Sequence, residues 1–145
     1  MTLFKRWLSA VSVFVLVSCS AMQQSSNEGS LYDRLGGKPA ISAVVDDFVG
    51  NIAEDQRINL FFAHADPVRL KQMLVDQICV GTGGPCKYTG RDMKTVHQDM
   101  AITEARFNAV VEDLVKSLNK FKVPAREQSE LLAILGSMKN QIVNQ

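Results

Sequence analysis

Apolar residues recur along most of the chain with the period of an α-helix, and one such stretch also contains a histidine. In a short helix, residues at i, i+3, i+4 and i+7 share one face. Downstream of residue 90 these positions hold Met93, Val96, His97 and Met100. An imidazole on an apolar face is either a core histidine bonded to a backbone carbonyl or a ligand to a metal in an apolar pocket. Spacing alone does not decide between the two.

The rest of the chain from Ser30 onward also predicts helices, and no stretch alternates apolar and polar residues for long enough to form a strand. Ser30 is suited to cap a short first helix that ends at the glycine pair 36–37. The clearest amphipathic face follows between Ile41 and Ile52, where apolar residues recur at i, i+3, i+4, i+7, i+8 and i+11. The pattern therefore predicts an all-α fold.

Later helix starts are marked by capping residues. Asp66-Pro67 combines a capping side chain with a proline suited to the first helical position, and the glycine-rich loop 81–90 ends the helix that it opens. Thr103 is suited to cap the next long helix. Val123-Pro124 opens a last helix, which we expect to carry Met138 and Ile142 on its apolar face.

The N-terminus has the pattern of an export signal. Lys5-Arg6 precedes the apolar run Trp7 to Val17, which is too short to span a bilayer but suits a signal peptide. Residues 16–19, Leu-Val-Ser-Cys, resemble a bacterial lipobox, which implies removal of residues 1–18 and diacylation of Cys19. An ordinary secretory signal is the alternative. Residues 19–30 form a polar tether, so we expect residues 31–145 to be a periplasmic or outer-membrane domain held to the membrane by lipid alone.

Export to an oxidising compartment makes a disulfide between Cys79 and Cys86 the favoured state of the two remaining cysteines. Such a bridge closes a loop of about eight residues and would contribute roughly 2–3 kcal/mol in the chain-entropy model. Two free thiols or a soft-metal site are the competing interpretations.

Composition and charge narrow the range of partners. The 145 residues suffice for one domain with a sizeable core, and 46% hydrophobic with 21% charged residues is ordinary globular composition. Loss of Lys5 and Arg6 with the signal peptide would change the net charge from +1 to −1. Nothing in this balance favours a nucleic-acid partner.

Five short motifs, in this order and at these separations, resemble a group 1 truncated haemoglobin. They are Gly36-Gly37, Phe61-Phe62, Gly83-Gly84-Pro85, Tyr88-Thr89-Gly90 and Met93-Lys94-Thr95-Val96-His97-Gln98. The resemblance covers Ser30 to Val143. It implies a two-over-two helical sandwich, a shortened globin fold, that encloses haem b with His97 as the proximal ligand. Imidazole is a proper ligand for haem iron, and we expect its second nitrogen to bond a carbonyl one turn back.

The resemblance also implies a set of residues around the cofactor, although each of them also suits simple core packing. Besides His97, the expected contacts are Phe48, Val49, Phe62, Leu70, Leu74, Gln77, Ile78, Tyr88, Met93, Val96 and Phe107.

On the distal side the sequence departs from the family pattern. Val49 stands where the family commonly has a tyrosine that donates to bound oxygen, and Leu70 and Leu74 stand where it often has glutamines. Loss of one donor removes on the order of 1–3 kcal/mol of stabilisation. Gln77 is the remaining polar candidate, and it either reaches into the pocket or is solvated.

Met73 stands where some members of the family place a second, distal iron ligand. A thioether there would give the His/Met pair of electron-transfer haem proteins, or it would only fill space over the haem. His64, in the turn before Asp66, is expected to face solvent.

The sequence thus predicts an exported haem b protein that binds oxygen, nitric oxide or carbon monoxide in an apolar distal pocket. Enzymatic activity stays open: nitric oxide dioxygenase-like chemistry and electron transfer with a redox partner are both compatible with the pattern. The alternative from another class is a haem-free structural or interaction lipoprotein on a globin scaffold.

Overall fold

The computed structural model describes residues 29–145, and all regular secondary structure in this range is helical, as predicted. The predicted signal peptide, Cys19 and the tether up to residue 28 lie outside the described residues. None of the helices from residue 29 onward is long and apolar enough to cross a membrane. The α-helices are α1 Leu31–Arg34, α2 Gly37–Glu54, α3 Pro67–Gly81, α4 Met93–His97, α5 Glu104–Lys120 and α6 Ala125–Gly136, with 3-10 turns at Asn59–Phe62 and Lys139–Gln141.

Side-chain caps fix the helix starts at the predicted residues. The Ser30 hydroxyl accepts from the Asp33 amide at 3.2 Å, and the Asp33 carboxylate accepts in return from the Ser30 amide at 3.1 Å. Asp66 accepts from the amide of Val68 at 2.9 Å, and Thr103 accepts from the amide of Arg106 at 3.3 Å. Each cap satisfies backbone donors that the first turn leaves without a partner, typically for about 1 kcal/mol.

The sandwich is organised around α2, which packs against both α3 and α5, while α6 packs against α1 and α5. The α2 face predicted from its periodicity is buried, and Val45 at 0% and Ile52 at 2% exposure are among its most enclosed residues. Leu118 of α5 and Leu131 of α6 complete the same core, at 1% and 2% exposure. Full burial of such a side chain contributes about 1.5–3 kcal/mol.

A polar network also joins α2 to α5. The Asn51 amide donates to the Ser117 hydroxyl at 2.9 Å and to the Asp113 carbonyl at 3.3 Å, and Ser117 donates to Asp47 at 2.8 Å. A hydrogen bond from Lys120 is the main reason that the pKa of Asp47 lies below its ordinary value. Because these polar groups have specific partners, the network fixes the register of the two helices.

The last helix is shorter than its apolar pattern suggested. It ends at Gly136, where Ser137 donates its hydroxyl to the Ile134 carbonyl at 2.6 Å, so the prediction that it carries Met138 and Ile142 is wrong. Glycine is a poor helix former, which favours a stop at this point. The segment beyond turns back, and the Asn144 amide donates to the Ile102 carbonyl at 2.9 Å.

The predicted disulfide is present and holds the loop after α3. Cys79, fully buried in α3, is bonded to Cys86, and their Cα atoms are 5.9 Å apart. The loop backbone passes very close to Tyr32 and Cys79. A Cβ added to Gly84 would lie 2.5 Å from the Tyr32 ring and 2.6 Å from the Cys79 sulfur. Glycine is therefore required there, and the loop that leads to α4 is attached to both α3 and α1.

We expect Cys79→Ala/Cys86→Ala to lower the free energy of unfolding by roughly 2–3 kcal/mol, because the unfolded chain regains the freedom that the closed loop removes. Urea denaturation measures the difference. Wild type unfolded in a reductant is the matched control and should approach the stability of the variant. Equal urea midpoints for the variant and the oxidised wild type would contradict a stabilising role.

Candidate functional site

One cavity of about 580 Å³ is lined by residues of every helix except α1 and has mostly apolar walls. Its volume lies within the range of about 300–1,000 Å³ that is usual for ligand and cofactor pockets. Most of the residues expected around a cofactor line it. They are Phe48, Phe62, Leu70, Met73, Leu74, Gln77, Ile78, Tyr88, Met93, Val96, His97 and Phe107.

Val49 is the exception and does not line the cavity. It is partly buried and packs against the hydrophobic core instead. Successive residues of a helix point about 100° apart, and in α2 it is the neighbouring Phe48 that reaches the cavity wall. The expectation that Val49 contacts a cofactor is therefore not met.

His97 is the last residue of α4 and lies half-buried on the cavity wall. Its Nδ1 is 2.7 Å from the carbonyl oxygen of Met93, one helical turn earlier. A carbonyl only accepts, so in the neutral ring Nδ1 carries the proton and Nε2 keeps its lone pair. No hydrogen bond from residues 29–145 engages Nε2. The imidazole is therefore prepared to bind a metal through Nε2.

The position of His97 depends on a short helix that is capped by Asp92. One carboxylate oxygen of Asp92 accepts from the Thr95 amide at 2.9 Å, and the other accepts from the Thr95 hydroxyl at 2.6 Å. These bonds hold the pKa of Asp92 below its ordinary value. The sequence analysis missed this cap, although an aspartate before a helical pattern is a recognised start signal.

Tyr88 shapes the turn that leads into this helix. Its hydroxyl donates to the Arg91 carbonyl at 2.9 Å, and its ring lies so close to the backbone that a Cβ on Gly90 would be 2.4 Å from the hydroxyl oxygen. Burial, with a smaller contribution from the charge of Asp92, raises the pKa of Tyr88 above its ordinary value. The Tyr88-Thr89-Gly90 motif is thus a turn that requires glycine, and its tyrosine also lines the cavity.

The wall formed by α3 has few polar groups. Leu70, Met73 and Leu74 line the cavity and carry no hydrogen-bond donor in their side chains. Gln77 is partly buried, and its amide nitrogen lies 3.2 Å from the Met93 sulfur and 3.4 Å from the Met138 sulfur. Gln77 therefore belongs to the cavity wall, with its N–H groups directed at thioethers.

His64 is exposed and does not line the cavity. The structure thus places it where the sequence predicted, in the solvent-facing segment before α3.

Three arginines line the cavity in addition to the predicted residues. Arg106 donates to the Ala101 carbonyl at 3.0 Å, and its guanidinium carbon is 4.8 Å from the centre of the Phe61 ring. Within the part of the chain that the structure describes, neither Arg69 nor Arg91 has a carboxylate partner. An apolar cavity with unpaired guanidinium groups suits a flat apolar ligand that carries acidic groups. Sequence reasoning missed these residues because isolated arginines carry no spacing signal.

Comparison with known proteins identifies the family. Residues 30–144 match the family described as bacterial-like globin. The chain belongs to this family. It is 34% identical over 119 residues to the group 1 truncated haemoglobin GlbN of Mycolicibacterium paratuberculosis, covering 82% of this chain and 88% of that protein. It is 32% identical over 122 residues to the group 1 truncated haemoglobin GlbN of Synechocystis, covering 80% and 98%.

Solved structures agree with this assignment. The Fe(III) form of the truncated haemoglobin from Tetrahymena pyriformis superposes with a TM-score of 0.78 at 25% identity, covering 81% of this chain and 100% of that one. The 2/2 haemoglobin from Synechococcus, solved in the cyanomet state with covalently attached haem, gives a TM-score of 0.75 at 33% identity, with the same coverage. The two-over-two sandwich is thus confirmed, and membership in this globin family agrees with the prediction of haem b as the cofactor.

We expect Asp92→Ala to weaken α4, because it removes the side-chain acceptor that caps the first turn. Amide hydrogen exchange measures this as a loss of protection of about fivefold at Thr95 and Val96. Folding lowers the pKa of Asp92. The cap therefore stabilises the helix fully above the unfolded carboxyl pKa and is lost as pH falls through the lower folded value.

Asp92→Asn is the matched control for this cap, since asparagine also caps helices well but does not titrate. It should keep the protection at Thr95 and remove its dependence on pH in the acid range. Equal protection in the wild type and Asp92→Ala would show that the cap does not hold α4.

Proposed function

We propose that the protein binds haem b in this cavity through His97 and takes up nitric oxide or carbon monoxide in preference to oxygen. The observation that carries the proposal is the state of His97, whose Nδ1 is bonded to a backbone carbonyl while Nε2 is free on the cavity wall. A hydrogen bond of this kind fixes the tautomer and the ring orientation of a metal-binding histidine and makes it a stronger ligand.

The walls of the cavity fit the two chemical parts of haem b. Aromatic and aliphatic side chains line most of the space, which suits the flat macrocycle, and we assign its two propionates to Arg69 and Arg91. A guanidinium pairs well with a carboxylate, and these two have no competing carboxylate among residues 29–145. When bound, haem supplies the iron that binds the gas.

The choice of gas follows from the cavity wall formed by α3, which the resemblance to the truncated haemoglobins makes the distal side. Hydrogen-bond donors over a haem favour oxygen, which becomes more polar on binding than carbon monoxide or nitric oxide does, and distal polarity is a main determinant of ligand choice. Leu70, Met73 and Leu74 offer no such donor, and Val49 leaves the tyrosine position without one. The same wall disfavours nitric oxide dioxygenation, because that reaction consumes oxygen bound at this site.

Electron transfer is a second candidate, and the place of Met73 on the cavity wall favours it. If Met73 and His97 both held the haem iron, they would form the His/Met ligand set of cytochromes c, which raises the reduction potential. In that case the protein would exchange electrons with a redox partner, and Met73 would compete with gases for the iron.

We also propose that the domain works outside the cytoplasm, anchored by lipid on Cys19 after removal of residues 1–18. Three features of the N-terminus support this: the basic pair Lys5-Arg6, the short apolar run Trp7 to Val17, and the lipobox-like residues that end at Cys19. The structural disulfide between Cys79 and Cys86 agrees with an oxidising compartment. A haem-free interaction lipoprotein has less support, since packing alone does not require a free imidazole nitrogen on an apolar cavity wall.

We expect His97→Gly to lose stoichiometric haem binding, because it removes the ligand to the iron but leaves the cavity in place. Titration with haem, followed through the Soret absorption, measures the stoichiometry. Added imidazole should restore a histidine-like spectrum. His64→Gly is the matched control and should bind one haem per chain. A His97→Gly protein with an unchanged spectrum and no need for imidazole would contradict the proposal.

Substitution of Met73 by leucine separates the two candidate functions while keeping side-chain volume nearly constant. If gas binding is the function, the ferric wild type should be high-spin, and Met73→Leu should leave its absorption spectrum unchanged. A low-spin wild type that becomes high-spin in Met73→Leu would instead support ligation by Met73 and electron transfer.

A further inference from the structure

Gln77 connects three parts of the chain that meet at one side of the cavity. It extends from α3, and its amide nitrogen contacts the Met93 sulfur at 3.2 Å and the Met138 sulfur at 3.4 Å. Met93 is the first residue of α4, and Met138 lies in the segment that follows α6. One side chain therefore links α3 to α4, the helix that carries His97.

The link to His97 passes through a single residue. The side chain of Met93 accepts from Gln77, and the backbone carbonyl of the same residue accepts from the His97 ring at 2.7 Å. A shift of Met93 would therefore move the acceptor that orients the imidazole. The contact with Gln77 opposes such a shift.

The helix that carries His97 has few other supports. It is five residues long, too short to be stable by itself, and its main helical contact is with the 3-10 turn Lys139–Gln141. Met138 directly precedes that turn. Gln77 thus holds both the start of α4 and the segment against which α4 packs.

We propose that Gln77 is a positioning residue, which sets the orientation of His97 by holding Met93 and Met138, and that it does not donate to a gas ligand. The inference rests on the proposed ligation of haem by His97. A glutamine amide has two N–H donors, and two sulfurs within reach account for both. Thioethers are weak acceptors, so the effect on overall stability is small, whereas the effect on a five-residue helix is direct.

The test compares Gln77→Leu with Gln72→Leu in the haem-loaded protein. Gln72 is the matched control because it is an exposed glutamine on the same helix and bonds Asp76 at 2.7 Å, outside the cavity. Three quantities are measured: the rate of haem loss to excess apomyoglobin, the iron–histidine stretch of the ferrous protein, and the C–O stretch of its carbon monoxide complex.

We expect Gln77→Leu to lose haem about fivefold faster, as the loss of weak hydrogen bonds implies, and to shift or broaden the iron–histidine stretch. The C–O stretch, which reports donors near the gas, should stay the same, and Gln72→Leu should match the wild type in all three measurements.

Met93→Leu provides a second route if Gln77→Leu fails to fold, which circular dichroism would reveal. Met93→Leu keeps the side-chain volume nearly constant and removes the sulfur acceptor. It should therefore shift the iron–histidine stretch in the same direction as Gln77→Leu does. In the double variant with Gln77→Leu the two effects should not add, because both remove the same contact.

Two results would overturn the inference. One is an altered C–O stretch in Gln77→Leu with normal haem loss and a normal iron–histidine stretch, which would make Gln77 a distal donor. The other is the absence of any change in Gln77→Leu and Met93→Leu. Failure of the proposed function gives a different result, because the wild type and Gln72→Leu would then show no iron–histidine stretch at all.

Discussion

The hydrogen bond from His97 Nδ1 to the Met93 carbonyl is the interaction on which the site depends. In the neutral ring it places the proton on Nδ1 and leaves the Nε2 lone pair without a partner on the wall of an apolar cavity. Its geometry requires that α4 begin at the right residue, which Asp92 ensures through its cap. The disulfide of Cys79 and the glycine at position 84 hold the loop that delivers this helix. The Asp92 cap, the disulfide and Gly84 thus all help to hold the hydrogen bond between His97 and Met93 in place.

The cavity wall near His97 and the wall formed by α3 differ in the hydrogen bonds that their polar side chains make. On the His97 side the polar groups of Asp92 and Tyr88 have defined partners. On the α3 side Leu70 and Leu74 carry no donor, Gln77 directs its donors at sulfur, and the guanidinium of Arg69 is one of the two that we assign to the propionates. Under the proposed function, this contrast would give a site that binds haem iron through His97 and stabilises a polar gas weakly. The preference for one gas over another would then follow from the lack of hydrogen-bond donors at Leu70 and Leu74.

The helix starts after Ser30, Asp66 and Thr103 were predictable from the sequence, because capping residues are local signals. Most of the cavity wall was expected from the resemblance to the truncated haemoglobins. Contacts between segments that are far apart in the sequence could not be predicted in this way. Asn51 and Ser117 lie on polar sides of their helices, and only the packing of α2 on α5 shows that they meet. The role of Gln77 stayed open for the same reason, since the sulfurs that it contacts are 16 and 61 residues away.

The ratio of oxygen to carbon monoxide affinity in the ferrous protein tests the central claim most directly. Changes on the His97 side alter both affinities, whereas a distal donor mainly strengthens oxygen binding, so the ratio isolates the distal wall. We expect one carbon monoxide-binding haem per chain and a strong preference for carbon monoxide over oxygen. Oxygen affinity close to that for carbon monoxide would contradict it.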